Sequence, residues 1–196
     1  MILGITGGLG CGKSTAARAF ECHGFRRLDS DQIVRDEVLT APEVMDALRS
    51  RYGDAVLLRE ARSQKVNRPA LAERVFSDER ERLWLEELTH PRVFAQWRKA
   101  FAAEPAARWV VEVPLLHEKG LENWFDFTIC VACASAQQLA RLEQRGLPRV
   151  LAEQRISKQL PLAQKIERSD YVLWNEGSAR FLEAQVNHLA AALSAN

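Results

Sequence analysis

Gly7-Gly8-Leu9-Gly10-Cys11-Gly12-Lys13-Ser14 fits the pattern G-x-x-x-x-G-K-[ST], and the rest of the chain is read outward from it. Upstream, Met1-Ile2-Leu3-Gly4-Ile5-Thr6 is a short apolar run of the kind a buried parallel strand carries. Downstream, Ser14 to Glu21 has the pattern of a helix. Strand, glycine loop and helix in that order are the context in which this spacing binds phosphate. The glycines let the chain turn sharply and aim successive backbone N–H groups inward, at a helix N-terminus whose dipole also favours negative charge. Gly8, Gly10, Cys11, Gly12 and Thr15 are therefore candidates to cradle the phosphates of ATP or a similar nucleotide. Lys13 would neutralise the β- and γ-phosphates, and the Ser14 hydroxyl would ligate Mg²⁺ beside water and nucleotide oxygens.

At 196 residues the chain can bury a full core, and it suits one α/β domain spanning 1–196 with smaller inserted parts. Lys and Arg number 27 against 26 Asp and Glu, a net charge of +1, so no global field draws in nucleic acid or a membrane surface, and neither is an expected partner. No apolar run reaches the roughly 18 residues a membrane crossing needs, and no basic N-terminal leader precedes a cleavage site. A cytoplasmic protein is the expectation. Four cysteines, at 11, 22, 130 and 133, are too scattered for a disulfide framework. Cys130 and Cys133 fall in an expected strand, where residues three apart face opposite sides and read as core thiols. Cys11 differs, because a thiol near a helix N-terminus is acidified, and redox sensitivity there is a separate expectation.

Phe25 to Leu28 reads as a second strand, ending in Asp29-Ser30-Asp31. In parallel sheets ligands bind beyond the carboxyl ends of strands, so both aspartates can lie beside the phosphate loop, on one side if the chain stays extended. The competing reading is that they cap a helix over Gln32 to Leu39. From Pro42 to Ala103 the pattern is helical almost throughout, interrupted at Tyr52-Gly53-Asp54, near Asn67-Arg68-Pro69, and at His90-Pro91, with Pro69 and Pro91 in first-turn positions. Phe94, Trp97 and Phe101 recur at helical spacing, as core or as an apolar groove for an elongated substrate. Arg108 to Val113 is a third strand whose Glu112 either holds a Mg²⁺-bound water or is an ordinary strand-end carboxylate. Asp126 to Cys133 is a fourth strand, with a helix from Ser135 to Arg145. Arg149 to Arg168 is helical and carries Arg155, Lys158, Lys165 and Arg168, which read as a solvated face or as a lid closing over a triphosphate. Asp170 to Trp174 is a fifth strand, Asn175-Glu-Gly177 a turn, and Ser178 to Ala195 a helix.

Five strands alternating with helices predict a parallel sheet covered on both faces. That architecture serves kinases, GTPases and motor ATPases alike. GTPases usually add Asp-x-x-Gly and Asn-Lys-x-Asp elements, and neither is present. A kinase for a small molecule fits better. Thr6 to Thr15, Leu28-Asp-Ser-Asp31, Thr89-His-Pro91, Val113-Pro-Leu-Leu-His-Glu118, Gln159 and Ser169 to Gly177, in that order over most of the chain, resemble the dephospho-coenzyme A kinases.

The resemblance implies a P-loop fold like that of nucleoside monophosphate kinases, with a helical coenzyme A subdomain at about 32–104 and a lid at about 138–168. It implies transfer of the ATP γ-phosphoryl group to the ribose 3'-hydroxyl of dephospho-coenzyme A. By the same matching Asp31 is the candidate general base with Asp29 in reserve, and both lie at the acceptor. Arg141 is a catalytic and ATP-binding lid arginine, Asn175 and Gly177 form a turn beside the adenine, and His90, Pro91 and Leu115 touch the acceptor. Departures from the pattern at Glu112 and His117 leave open their roles toward metal and substrate. The rivals are a kinase for another nucleotide hydroxyl or phosphate, and a regulatory module with slow hydrolysis. The expected assembly is a monomer or weak homo-oligomer.

Overall fold

The computed structural model describes residues 1–60 and 63–194. In chain order, β1 (Ile2–Gly7) runs through the glycine loop into α1 (Lys13–Glu21), and β2 (Phe25–Asp29) passes at once into α2 (Ser30–Ile33), which continues as a π-helical turn over Val34–Val38. Next come α3 (Pro42–Tyr52), a 3₁₀ turn (Gly53–Val56), β3 (Leu57–Glu60), β4 (Ser63–Val66), α4 (Arg68–Ser77) and α5 (Glu79–Ala103). The remainder is β5 (Arg108–Glu112), β6 (Phe127–Ala132), α6 (Ser135–Gln144), α7 (Arg149–Ser157), α8 (Leu162–Glu167), β7 (Tyr171–Trp174) and α9 (Ala179–Ser194). Two compact units result, one from Met1–Asp29 with the chain after Ala106, the other from Ser30–Pro105.

The first unit is built on a five-stranded parallel sheet in the order β2-β5-β1-β6-β7. On one face Leu3 and Ile5 join Ala16, Ala17 and Phe20 of α1 and Leu182, Val186 and Leu189 of α9 in a continuous apolar core. On the other, a Cβ built at Gly4 would lie 2.6 Å from the Phe125 ring and 2.8 Å from Leu116, so only glycine lets that layer close on the central strand. The sheet is therefore buried on both faces, as the near-continuous apolar runs of β1, β5 and β6 require. β1 leads to β2 in one direction across the sheet whereas its neighbour β5 leads to β6 in the other, so the connections diverge between β1 and β5. The carboxyl end of β1 thus opens into the crevice where such sheets bind ligands.

The second unit departs from the expectation of a stretch helical almost throughout. Leu57–Glu60 and Ser63–Val66 pair as an antiparallel hairpin, with Leu57 opposite Val66 and Leu58 opposite Lys65. Its strands hold mostly helix-compatible residues, Leu57, Leu58, Arg59, Glu60, Gln64 and Lys65 among them, so cross-strand pairing rather than local propensity sets their conformation. Residues 61 and 62, in the same expected stretch, lie outside the described residues, as does Ala195 of the expected last helix. Nor does His90-Pro91 end a helix: Pro91 lies inside the 25-residue α5. On either side of it Thr89 Oγ1 donates to the Leu85 carbonyl (2.8 Å) and Arg92 Nη1 to the Leu88 carbonyl (2.8 Å), flanking the Glu87 carbonyl that the proline leaves without its N–H. Thr89, Val93 and Trp97, four apart, form the buried face of that helix. No described helix is long and apolar enough to cross a membrane.

Candidate active site

The phosphate loop leaves the carboxyl end of β1 and is held from three sides. Gly12 caps α1 with φ +98°, and a Cβ there would fall 2.3 Å from Asn175 Nδ2, so this position excludes any side chain twice over. Asn175, just past β7, donates from Nδ2 to the Cys11 carbonyl (2.8 Å) and from its backbone N–H to the Ala132 carbonyl (2.7 Å). Gln138 of α6 donates to the Leu9 carbonyl at 2.9 Å. Lys13 folds back so that Nζ donates to the carbonyls of Gly7 (3.2 Å) and Gly8 (3.1 Å). The loop's carbonyls are thus engaged by side chains. Ser14 and Thr15 open the first turn of α1, and the Thr15 N–H donates to the Gly12 carbonyl (3.0 Å).

Next to the loop lies a pair of carboxylates. Strand register sets Asp29 of β2 directly opposite Glu112 of β5, both at carboxyl ends, and Glu112 opposite Ile5 of β1. Like charges facing each other across strands repel, and here Arg27, two residues before Asp29 and so on its face, separates them. Its Nε donates to Glu112 Oε1 at 2.6 Å and its Nη2 to Asp29 Oδ2 at 3.2 Å. The Glu112 side chain is 5 % exposed, so this cation compensates a nearly buried charge. The i, i+2 spacing of Arg27 and Asp29 was the available sequence signal for it.

The chain matches the family model "CoaE: Dephospho-CoA kinase" over residues 1–180. It is 41% identical to the dephospho-CoA kinase of Thermosynechococcus vestitus over 187 residues, covering 94% of this chain and 91% of that one. With the dephospho-CoA kinase of Syntrophotalea carbinolica it shares 36% identity, covering 98% and 92% of the two chains. The chain belongs to the dephospho-CoA kinase family. A crystal structure of a Thermus thermophilus protein superposes with TM-score 0.84 at 32% identity, covering 98% of this chain and 97% of that one. The dephospho-CoA kinase of Campylobacter jejuni does so with TM-score 0.71 at 25% identity, covering 98% and 96%. A shikimate kinase from Acinetobacter baumannii, 16% identical with TM-score 0.55 over 97% and 93% of the chains, shares the fold alone.

Within this dephospho-CoA kinase fold, the residues singled out from sequence fall into separate places. Gly8 to Thr15 and Asn175 form one cluster. Arg141, in α6, joins it by donating from Nη2 to the Asn175 carbonyl (2.8 Å), and its buried Nη1 has no hydrogen-bond partner. Gly177 packs against Phe181, where a Cβ would come within 3.2 Å. Asp29 and Glu112 share Arg27. Leu115 is half-buried in the loop after β5. Asp31, His90 and Pro91 belong to the helical unit, Asp31 in the first turn of α2 and His90 beside Phe94 with ring centroids 5.9 Å apart. The extended chain that would have set Asp29 and Asp31 on one side is absent, because the helix begins at Ser30.

Of the cations expected to close over a triphosphate, Arg155, Lys158 and Arg168 are exposed, but Lys165 is fully buried. Its Nζ donates to the Pro114 carbonyl (2.8 Å) and pairs with Glu118 Oε1 (2.8 Å), which also accepts from the Leu160 N–H (3.0 Å). Beside this pair His117 lies between Glu122 Oε1 (2.8 Å) and Ser169 Oγ (2.9 Å) with its side chain fully buried. Pro114-Leu-Leu-His-Glu118 is therefore tied to α8 by buried polar bonds, and Lys165 is a fastening of that helix rather than a lid cation.

Proposed function

We infer that the chain is an ATP-dependent dephospho-CoA kinase that transfers the γ-phosphoryl group to the ribose 3'-hydroxyl of dephospho-CoA, giving coenzyme A and ADP. The match to that family over residues 1–180 carries this reading, and the braced phosphate loop at the carboxyl edge of a parallel sheet supports it. The transition state is loose and anionic, so positioning and charge stabilisation supply most of the catalysis. Gly8, Gly10, Gly12 and Ser14 present backbone N–H groups to the phosphates, and Cys11 and Thr15, whose N–H groups donate to the Gly8 and Gly12 carbonyls, complete the cradle. Lys13 exchanges its two carbonyl acceptors for β- and γ-phosphate oxygens, and the unpaired Nη1 of Arg141 serves the same charge. Asn175 and Gly177 border the adenine. Asp31 takes the proton from the attacking hydroxyl, with Asp29, already bound by Arg27, in reserve. His90, Pro91 and Leu115 contact the acceptor.

Among the described residues no group of three or more His, Cys, Asp or Glu is arranged to hold a metal. That suits an ion held mainly by nucleotide oxygens and water, as Mg²⁺ is in phosphoryl-transfer enzymes. Ser14 would bind it directly and Glu112 through a water, Arg27 fixing the orientation of that carboxylate. Bound there, Mg²⁺ would neutralise charge shared by the β- and γ-phosphates. The protein acts in the cytoplasm as a monomer or weak homo-oligomer.

The deciding measurement is ADP release from Mg-ATP with dephospho-CoA, AMP, CMP, adenosine or no acceptor. Turnover with dephospho-CoA alone, yielding coenzyme A, is expected. A mononucleotide acceptor would replace this substrate with another, and acceptor-independent hydrolysis would favour a regulatory NTPase.

A further inference from the structure

Beneath the phosphate loop two thiols meet. Cys11, from the loop, and Cys133, just past the end of β6, are 122 residues apart in sequence, yet Cys133 Sγ donates to Cys11 Sγ across 3.4 Å. Cys11 is fully buried and Cys133 nearly so, and the Cys11 sulfur also lies 2.8 Å from where a Gly8 Cβ would stand, so loop and sulfur are packed as one body. The hydrogen bond from Cys133 and the nearby Lys13 ammonium, against the opposing effect of burial, hold the Cys11 thiol below its ordinary range. Cys130 has no such support, and burial pushes it up to about 12. The pair thus combines an activated sulfur, a resolving sulfur within reach, and a position in the loop that binds ATP.

We propose that Cys11 and Cys133 are a modification site at which a hydroperoxide closes a disulfide under the phosphate loop, switching nucleotide-dependent turnover off reversibly. The Cys11 thiolate attacks the outer oxygen of the hydroperoxide; the O–O bond breaks, the alcohol leaves with a proton, and Cys11 becomes a sulfenic acid. The Cys133 sulfur then attacks the Cys11 sulfur; the S–O bond breaks, the S–S bond forms, and water leaves with the Cys133 proton. Two thiols are oxidised by two electrons and one hydroperoxide is reduced to alcohol and water. An external dithiol reverses the step by exchange. Such transient disulfides are the form that redox sensing takes in reducing compartments.

The consequence for turnover follows from distance and rests on the kinase function proposed above. A disulfide needs its sulfurs about 2 Å apart, so closing the present 3.4 Å gap pulls on the loop by more than an ångström. Misplacement on that scale costs phosphoryl transfer about a hundredfold. Because both thiols are buried, the hydroperoxide enters when the loop opens, and nucleotide that holds the loop closed slows the reaction.

The test treats the full chain with a hydroperoxide, with and without Mg-ATP, in a Cys130→Ser background, and reads trypsin fragments by mass. Expected is a crosslink between Met1–Lys13 and Gly120–Arg141 that dithiothreitol removes, that forms more slowly with Mg-ATP, and that is absent in Cys133→Ala. Acceptor-dependent turnover should fall about a hundredfold with crosslinking and return on reduction, while Cys133→Ala keeps its rate. A crosslink that persists in Cys133→Ala, or oxidation of Cys11 without any crosslink, overturns the pairing. A crosslinked protein of full activity overturns the switch. Absence of turnover in the reduced protein would instead count against the kinase function and leave the mass result standing.

Discussion

At Asp31 the question is chemical. A general base contributes about 10²- to 10⁴-fold, so Asp31→Asn should lower kcat by that factor while ATP affinity, read by calorimetry, stays within about threefold. Lys13→Ala should lose turnover together with ATP affinity. Unchanged kcat in Asp31→Asn would transfer the role to Asp29. Gly12 poses a steric question with two parts, a left-handed backbone and a neighbour already in the space of a Cβ. Gly12→Ala must strain φ at about 1–2 kcal/mol and push Asn175 away, so thermal unfolding should move down and ATP binding should be lost with it. An alanine variant of native stability would mean that the loop relaxes freely. Of these residues, the loop motif showed Gly12 and Lys13 directly; that Gly12 needs its hydrogen because of Asn175 depends on a residue 163 positions away.

Among the elements, α8 and the loop after β5 are bound by one buried ion pair. Removing one partner strands the other charge in the interior, so Lys165→Met should destabilise by about 3–5 kcal/mol, measured by urea titration. In the double variant Lys165→Met, Glu118→Gln much of that loss should return. Additive losses would show that the pair contributes no coupling. In the helical unit, Arg51 at the end of α3 holds Glu81 at the start of α5 through two bonds of 2.7 and 2.9 Å, and Tyr52 adds a third at 2.5 Å. The Arg51 guanidinium, then the Tyr52 hydroxyl, bring the Glu81 carboxyl down to about 2. A folded value below the unfolded one stabilises above the unfolded pKa and is lost as pH falls through the folded pKa. Acid titration by circular dichroism should therefore show helix stability declining between about pH 4 and 2, with a shallower decline in Glu81→Gln. Identical slopes would remove Glu81 from the acid response.

For the molecule as a whole, binding to the native state should appear as stability. Ligand at a hundredfold its dissociation constant adds about 2.7 kcal/mol, which for a chain of this size moves Tm up by roughly 5–10 °C. Mg-ATP should produce that shift in the native protein and in Asp31→Asn, and none in Lys13→Ala. A shift retained by Lys13→Ala would place the nucleotide elsewhere.

Local information sufficed wherever one short segment carries the whole requirement. The glycine loop, the apolar runs of β1, β5 and β6, and the amphipathic pattern of α9 each specify their conformation within a few residues, so the nucleotide fold and the family were legible in the chain alone. The features decided by tertiary structure pair residues that are remote or locally ambiguous. The β3–β4 hairpin exists because two helix-compatible segments satisfy each other's backbone. Pro91 stays inside α5 because its helix is buried along Thr89, Val93 and Trp97, and packing outweighs the lost hydrogen bond. Arg27 between two carboxylates, Lys165 turned inward to Glu118, and Cys11 meeting Cys133 all arise from strand order and helix placement. Spacing along a sequence carries no record of which distant side chain will share a buried site, and burial is what makes those partnerships matter.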